Sequence, residues 1–462
     1  MNKLEKVFTK FANKKIFILS KNHSITYQEM YLRALAFAEN LQNKHKSLSG
    51  KIIFLNMERS HYYFIAILSL IFLGATIIPI SDKINNLELN YLRKKYKPFL
   101  EIENFNVRKT KKKVRVPQNF LLKSKIIFFT SGTTGKPRGI LHNISNLLLS
   151  AESFSTLANY KAGKKILHNW PHYYMAGFFN MFLCSLVKGC TIVLDDEIGK
   201  NNYLKYWSTL KKSKIDFAYL SPTMAQALIA YSTYEKNIRK NSITTSIIST
   251  GSFLYRSTFL KFKDIFGINL IKCYGITEVG GSITLEKRKN ITNNSVGKIS
   301  SGIKIKISKD REILVKANFM FEGYLENSRD FKKFSSDYFA TGDLGEFKNG
   351  LLYINGRNKE IIKKGGEQVS LIRIEDTALG FDDVKDVIAR GVPSEFWGET
   401  VELDVVFLPD NKKINQINRI EILKKYLQQN LSQLEMPAKI YSVESIPKTL
   451  IGKNYRQVFQ LL

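Results

Sequence analysis

Thr130-Ser131-Gly132-Thr133-Thr134-Gly135-Lys136-Pro137-Arg138-Gly139 sets four hydroxyls and three glycines directly behind the apolar run Ile126-Ile127-Phe128-Phe129. Glycines free backbone N–H groups to converge on one anion, hydroxyls add further donors, and a strand running into the loop holds it rigid. The stretch reads as a phosphate clamp. It is not a Walker-type loop: only two residues separate Gly132 from Gly135-Lys136, and Pro137 stands where the magnesium-binding hydroxyl should follow.

Outward from this loop, the first three hundred or so residues alternate apolar runs with amphipathic stretches, the pattern of an α/β architecture. Strands are predicted over residues 51–55, 76–80, 214–220 and 245–250. The last two run into the small-residue loops Ser221-Pro222-Thr223 and Gly251-Ser252. Loops at the carboxyl ends of strands are where open α/β sheets place ligands. Residues 62–80 carry no charge over nineteen positions, near the length of a membrane span. Gly74 interrupts the run and Pro79 stands near its end, so it reads as a buried helix turning into a buried strand, and no membrane span is expected.

From about residue 298 to 315 the pattern changes to short alternating strands, which predicts a small β-rich subdomain. A boundary falls near Gly356. Residues 1–356 are expected to form a large, multi-lobed α/β domain, and residues 357–462 a small, mobile α+β domain. The latter is predicted to hold short strands and one amphipathic helix over 419–434, with Ile420, Leu423, Leu427 and Leu431 at helical spacing.

With 462 residues, 44% of them hydrophobic, the chain can bury a sizeable core and exceeds one ordinary domain. Cys184, Cys190 and Cys273 have neither metal-ligand spacing nor an even count, which argues for a reducing, cytoplasmic setting. The charged first fifteen residues do not read as a secretory signal. The net charge is +31, and from Arg357 onward sixteen basic residues face fifteen acidic ones, so about +30 resides in the first part. Such an excess suggests nucleic acid, a membrane surface or an acidic partner, or else reflects compositional drift in a chain rich in Lys, Asn, Ile, Phe and Tyr. Only residues 108–115 form a dense basic run, and no base-reading motif accompanies it, so a non-enzymatic nucleic-acid-binding protein is the weaker alternative.

The opening loop resembles the signature of the adenylate-forming (AMP-binding) superfamily, which contains acyl- and aryl-CoA ligases, peptide-synthetase adenylation domains and beetle luciferase. That string usually ends Pro-Lys-Gly, whereas this chain has Pro137-Arg138-Gly139; arginine keeps the charge but changes the donor geometry. The resemblance extends over nearly the whole chain. It implies a two-step acid–thiol ligase using ATP, magnesium and coenzyme A, with an acidic carrier protein as the alternative thiol donor.

In Tyr274-Gly275-Ile276-Thr277-Glu278 the resemblance implies an aromatic face for adenine, a threonine at the α-phosphate and a glutamate on magnesium. These roles suit the residue types: a purine wants a flat face, and a hard cation between phosphates wants carboxylate oxygen. Thr130 to Gly135, with Gly251 and Ser252, would complete the nucleotide site. In Thr341-Gly342-Asp343-Leu344 the aspartate would take the ribose hydroxyls, since one carboxylate can accept from two of them, and Arg357 would add a second ribose contact. Lys359 would be the pivot between domains. Gly365 and Gly366 would let a thin thiol arm pass close to the backbone. A proline usual a few residues later is replaced by Leu371.

Pro447-Lys448-Thr449-Leu450-Ile451-Gly452-Lys453-Asn454-Tyr455-Arg456 matches the C-terminal motif, whose lysine is Lys453 here. A mobile cation between a carboxylate and the α-phosphate offsets their repulsion as pyrophosphate leaves. The acid pocket is expected around His172, Tyr174, Phe178 and Gly280. Tyr174 falls where many acyl-CoA ligases have histidine, and His172 and His168 are either polar pocket groups or satisfied core histidines. No acidic residue occurs between His168 and Asp195. A buried ammonium without a counter-charge would be costly, so the substrate is read as a simple organic acid with an apolar or aromatic body.

Overall fold

A computed structural model describes residues 3–11, 15–45, 47–105, 120–130, 138–198, 203–232, 244–286, 295–409 and 416–448. The basic run 108–115, the loop 131–137 and the C-terminal motif from residue 449, Lys453 included, lie outside the described residues.

The uncharged stretch 62–80 forms the helix His61–Phe72 and the strand Thr76–Pro79. Ser60 caps the helix by accepting from the Tyr63 amide, and Gly74, at φ +69°, turns the chain into the strand. Every side chain of this helix except Tyr62 is buried, which is why it lacks the polar stripe of a surface helix. No helix among the described residues is long and apolar enough to cross a membrane.

Among the described residues, two seven-stranded sheets carry the large α/β part. One is built around the parallel strands Lys165–His168, Thr191–Leu194, Phe217–Leu220 and Ser246–Ser249. The other joins parallel Ile52–Leu55, Thr76–Pro79 and Lys125–Thr130 to an antiparallel extension, Arg138–Asn143 and Gly323–Leu325. Parallel strands buried on both faces read as near-continuous apolar runs, as these do. One core cluster reaches across both sheets, including Ile77, Phe64, Phe128, Phe178 and Ile192.

A six-stranded antiparallel sheet follows, from Thr284–Leu285 to Leu351–Arg357. It is larger than the short strands predicted over 298–315, because Phe339–Lys348 and Leu351–Arg357 pair back onto it from far along the chain. The next strand, Ile361–Lys364, belongs to a separate five-stranded sheet with its own core of Leu403, Val405, Leu423 and Leu427.

Four local expectations need correction. Ser221-Pro222-Thr223 is not a loop: Ser221 caps the helix Pro222–Tyr231, and proline is tolerated in its first turn. The C-terminal helix spans Gln416–Asn430 and so begins and ends earlier than residues 419–434. Its neighbours Val384–Ser394 and Gly398–Phe407 are long strands, not short ones, paired along their whole length. The short apolar strand expected over residues 268–271, ahead of Tyr274, lies instead at Ile271–Lys272.

Candidate active site

Strands Lys125–Thr130 and Arg138–Asn143 form an antiparallel hairpin in which Thr130 pairs with Arg138. The Arg138 guanidinium lies over the Tyr324 ring, 5.3 Å from its centroid, and its Nε stands 3.8 Å from Glu326 Oε1. Tyr324 is carried by Gly323–Leu325, the strand paired beside Arg138–Asn143.

Thr277 to Val279 make one 3-10 turn, closed by Gly280 at φ +83°. A Cβ at Gly280 would stand 3.0 Å from the Phe319 carbonyl, so glycine is favoured there on both counts. Three neighbours hold the turn. His142 Nε2 donates to the Thr277 carbonyl over 2.8 Å, Ser150 Oγ donates to the Gly280 carbonyl over 3.0 Å, and the Phe321 amide donates to the Glu278 carbonyl. Burial drives the His142 pKa down to about 4, so the ring is neutral at pH 7 and its N–H serves as a fixed donor. The Tyr324 hydroxyl donates to Glu278 Oε1 at 3.3 Å.

Tyr274 donates its phenol to Asp343 Oδ2 over 2.7 Å, and Arg357 Nε donates to Asp343 Oδ1 over 2.6 Å. Asp343 and Arg357 stand opposite each other on adjacent strands, and a register shift follows at Leu344. The backbone before Asp343 is fixed as well: Gly342 donates to Glu312, and Thr341 Oγ1 both donates to the Ile313 carbonyl and accepts from the Asp343 amide. A carboxylate has about four acceptor sites. With two taken by Tyr274 and Arg357, Asp343 keeps the capacity to take a vicinal diol beside an aromatic ring.

The other predicted residues fall in different places. Gly251, at φ +97°, and Ser252 are exposed, and a Cβ at Gly251 would stand 3.5 Å from the Trp170 ring. Tyr174 is half-buried, with burial pushing its phenol up to about 12. His172 is buried, its Nε2 donating to the Met57 carbonyl over 2.9 Å and its ring meeting Tyr63 edge to face. Desolvation, aided by Arg59, pulls its pKa down to about 3. Phe178 is fully buried between Phe128 and Phe182, in a π-helical stretch Gly177–Leu183. Lys359 is exposed in the short turn Asn358–Glu360. Gly365 and Gly366 are exposed at the tip of the hairpin Ile361–Lys364/Glu367–Ser370, with Gly365 against the Trp397 ring and open space beside Gly366.

Tyr324, His142 and Ser150 are absent from the sequence-level site. Each acts through contacts across more than forty positions, with no spacing signal to expose it.

The AMP-binding enzyme family model matches residues 4–124 and 123–325, and the AMP-binding enzyme C-terminal domain matches 373–453. The chain belongs to this family. It is 26% identical over 378 residues to the mitochondrial malonate–CoA ligase ACSF3 of Xenopus laevis, spanning 72% of this chain and 64% of that protein. It is 24% identical to the 2-succinylbenzoate–CoA ligase of Staphylococcus epidermidis over 95% of this chain and 93% of that one. The fold superposes on the anthranilate CoA ligase AuaEII in complex with anthranoyl-AMP with a TM-score of 0.85, at 18% identity, covering 100% and 96% of the two chains.

Proposed function

We propose that this chain is an ATP-dependent acid–thiol ligase that forms an acyl-adenylate and then a thioester, with coenzyme A as the thiol. The observation carrying this reading is the convergence of Tyr274, Arg357 and the buried Asp343 into one hydrogen-bonded group, in a family member whose Glu278 is fixed in a turn nearby in sequence.

In the first step a carboxylate oxygen attacks the α-phosphorus of ATP and pyrophosphate leaves. Asp343 and Arg357 would hold the ribose, and Tyr274 would face the adenine. Thr277 would donate to the α-phosphate, and the loop 130–135 would cradle the departing phosphates. Lys453 would stand between the two anions. In the second step the thiol sulfur attacks the acyl carbon and AMP leaves, after the small C-terminal domain rotates about Lys359 to bring Gly365 and Gly366 to the site.

Magnesium fits the donor set. Among the described residues no three His, Cys, Asp or Glu side chains gather into a metal cage. A magnesium ion held by Glu278 would therefore complete its shell with phosphate and water oxygens, as this cation commonly does. When bound it supplies charge neutralisation at the phosphates.

The neutral, core-bound His172 and the absence of acidic residues between His168 and Asp195 favour a non-amino organic acid. ATP–pyrophosphate exchange over a panel of carboxylic acids tests this, with malonate and 2-succinylbenzoate, the acids in the relatives' names, in the panel. Exchange with amino acids alone, or with no acid, would refute it. The charge of the first part supports a second reading, in which the thiol is the phosphopantetheine arm of an acidic carrier protein. Transfer would then weaken steeply with salt, because screening shortens to about 8 Å at physiological ionic strength.

A further inference from the structure

Two motif segments, the phosphate hairpin and the Thr277–Val279 turn, meet at a side chain that belongs to neither. Tyr324 leaves the strand Gly323–Leu325, whose residues pair with Gly139, Ile140 and Leu141 on the outgoing arm of the hairpin. Its ring lies under the Arg138 guanidinium, and its hydroxyl donates to Glu278 Oε1. Three residues earlier on the chain, the Phe321 amide donates to the Glu278 carbonyl. The segment 321–324 thus holds Glu278 by backbone and by side chain.

We propose that Tyr324 is a positioning residue for the cation-binding carboxylate of Glu278, and that Arg138 acts through it by clamping the ring. The proposal rests on the ligase reading above and deepens it. A carboxylate that binds a hard cation works best when it cannot swing away, and one O–H donor on Oε1 restricts its rotation without adding charge. The same geometry explains the departure Pro137-Arg138-Gly139. A planar guanidinium can lie flat on an aromatic face, whereas a lysine ammonium is a point charge on a flexible stem. Glu326, 3.8 Å from Arg138 Nε, adds an ion pair to the guanidinium. Arginine at this position therefore serves the ring.

The test is calorimetric titration of the full chain with ATP, without any acid substrate, across a magnesium series and in chelator. Tyr324→Phe keeps the ring and the stacked arginine and removes only the donor. It should raise the magnesium concentration needed for half-maximal ATP binding about tenfold, the size expected for one hydrogen bond to a charged group. Its magnesium-free ATP affinity should match the parent. Arg138→Lys, at an exposed side chain, should shift the magnesium dependence in the same direction by less. In the Tyr324→Phe background, Arg138→Lys should add no further shift, since the relay is already cut. An unchanged magnesium dependence in Tyr324→Phe would overturn the proposal, as would an equal loss of affinity with and without magnesium. If Tyr324→Phe does not fold, Arg138→Lys decides alone, by the same criterion. Failure of the parent chain to bind ATP at all would instead overturn the ligase reading.

Discussion

Asp376 caps a helix in a different part of the molecule: its Oδ1 accepts from the amide of Ser257 at 2.9 Å and from the Ser257 hydroxyl at 2.7 Å. Ser257 and Arg256 open the helix Arg256–Phe266 of the large α/β part, which has no capping side chain at its own Tyr255. Asp376 lies on Leu371–Gly380, the first helix of the C-terminal sheet unit. The adjacent Glu375 accepts from the Tyr255 hydroxyl, and Lys261 reaches the Phe381 carbonyl. Orphan helix N–H groups of one unit are thus satisfied by the other.

Removing this cap should loosen the two units rather than unfold either. Asp376→Ala loses an acceptor worth about 1 kcal/mol at a helix N-terminus, whereas Asp376→Asn keeps one. Limited proteolysis should cut the alanine variant faster in residues 357–361, with the asparagine variant close to the parent. Since Gly365 and Gly366 face solvent in this arrangement, Asp376→Ala should also slow adenylate formation more than transfer from a preformed adenylate. Identical cleavage of all three chains would refute the role of the cap.

Two lysines should separate the half-reactions. Lys453→Ala removes a cation from between the reacting anions and should slow adenylation by about 10²–10³-fold, with a much smaller effect on thioester formation from synthetic acyl-adenylate. Lys359→Pro fixes φ at the pivot and should do the reverse, retaining adenylation and losing transfer. Single-turnover assays begun from acid plus ATP, and from the adenylate, resolve the two. Equal damage in both assays would show that the chain does not work by rotation about residue 359.

Stability should fall on mild acidification because buried histidines are held neutral. The pKa of His142 is depressed to about 4 and that of His172 to about 3, against about 6.5 in the unfolded chain. Between these values the unfolded state binds more protons, so unfolding becomes easier as pH falls below about 6.5. Each group contributes a slope of up to about 1.4 kcal/mol per pH unit, flattening once pH drops below its folded value. Urea unfolding between pH 7 and 5 should show this slope, and His172→Gln should remove about one proton's share. An unaltered slope in that variant would mean that His172 titrates normally.

Gly177 should tolerate no side chain. A Cβ there would fall 2.2 Å from the Pro171 carbonyl oxygen, a backbone atom that cannot swivel away. This contact opens the π-helical stretch that carries Phe178, Phe179 and Asn180. Gly177→Ala should cost about 1–3 kcal/mol, in the range of overpacked sites, seen as a lower urea midpoint. A midpoint equal to the parent's would show that the backbone relaxes freely there.

What the sequence determined alone was local in origin. The apolar run before the glycine-rich loop had to be a strand, and it is Lys125–Thr130. The uncharged stretch 62–80, broken by Gly74, had to be a buried helix and strand, and it is. The family was legible because its motifs are contiguous strings. Tertiary structure decided what depends on meeting across distance. The sequence left His172 as either a pocket group or a core histidine and offered no measure of its burial; the helix His61–Phe72 packs against His172 and the strand Lys125–Thr130 against Phe178, and both are buried. Tyr324 reaches Glu278 across 46 positions, and Asp376 reaches Ser257 across 119. A hydrogen bond between distant residues leaves no periodicity or spacing in the chain. It exists only because sheets formed elsewhere bring the two backbones within reach.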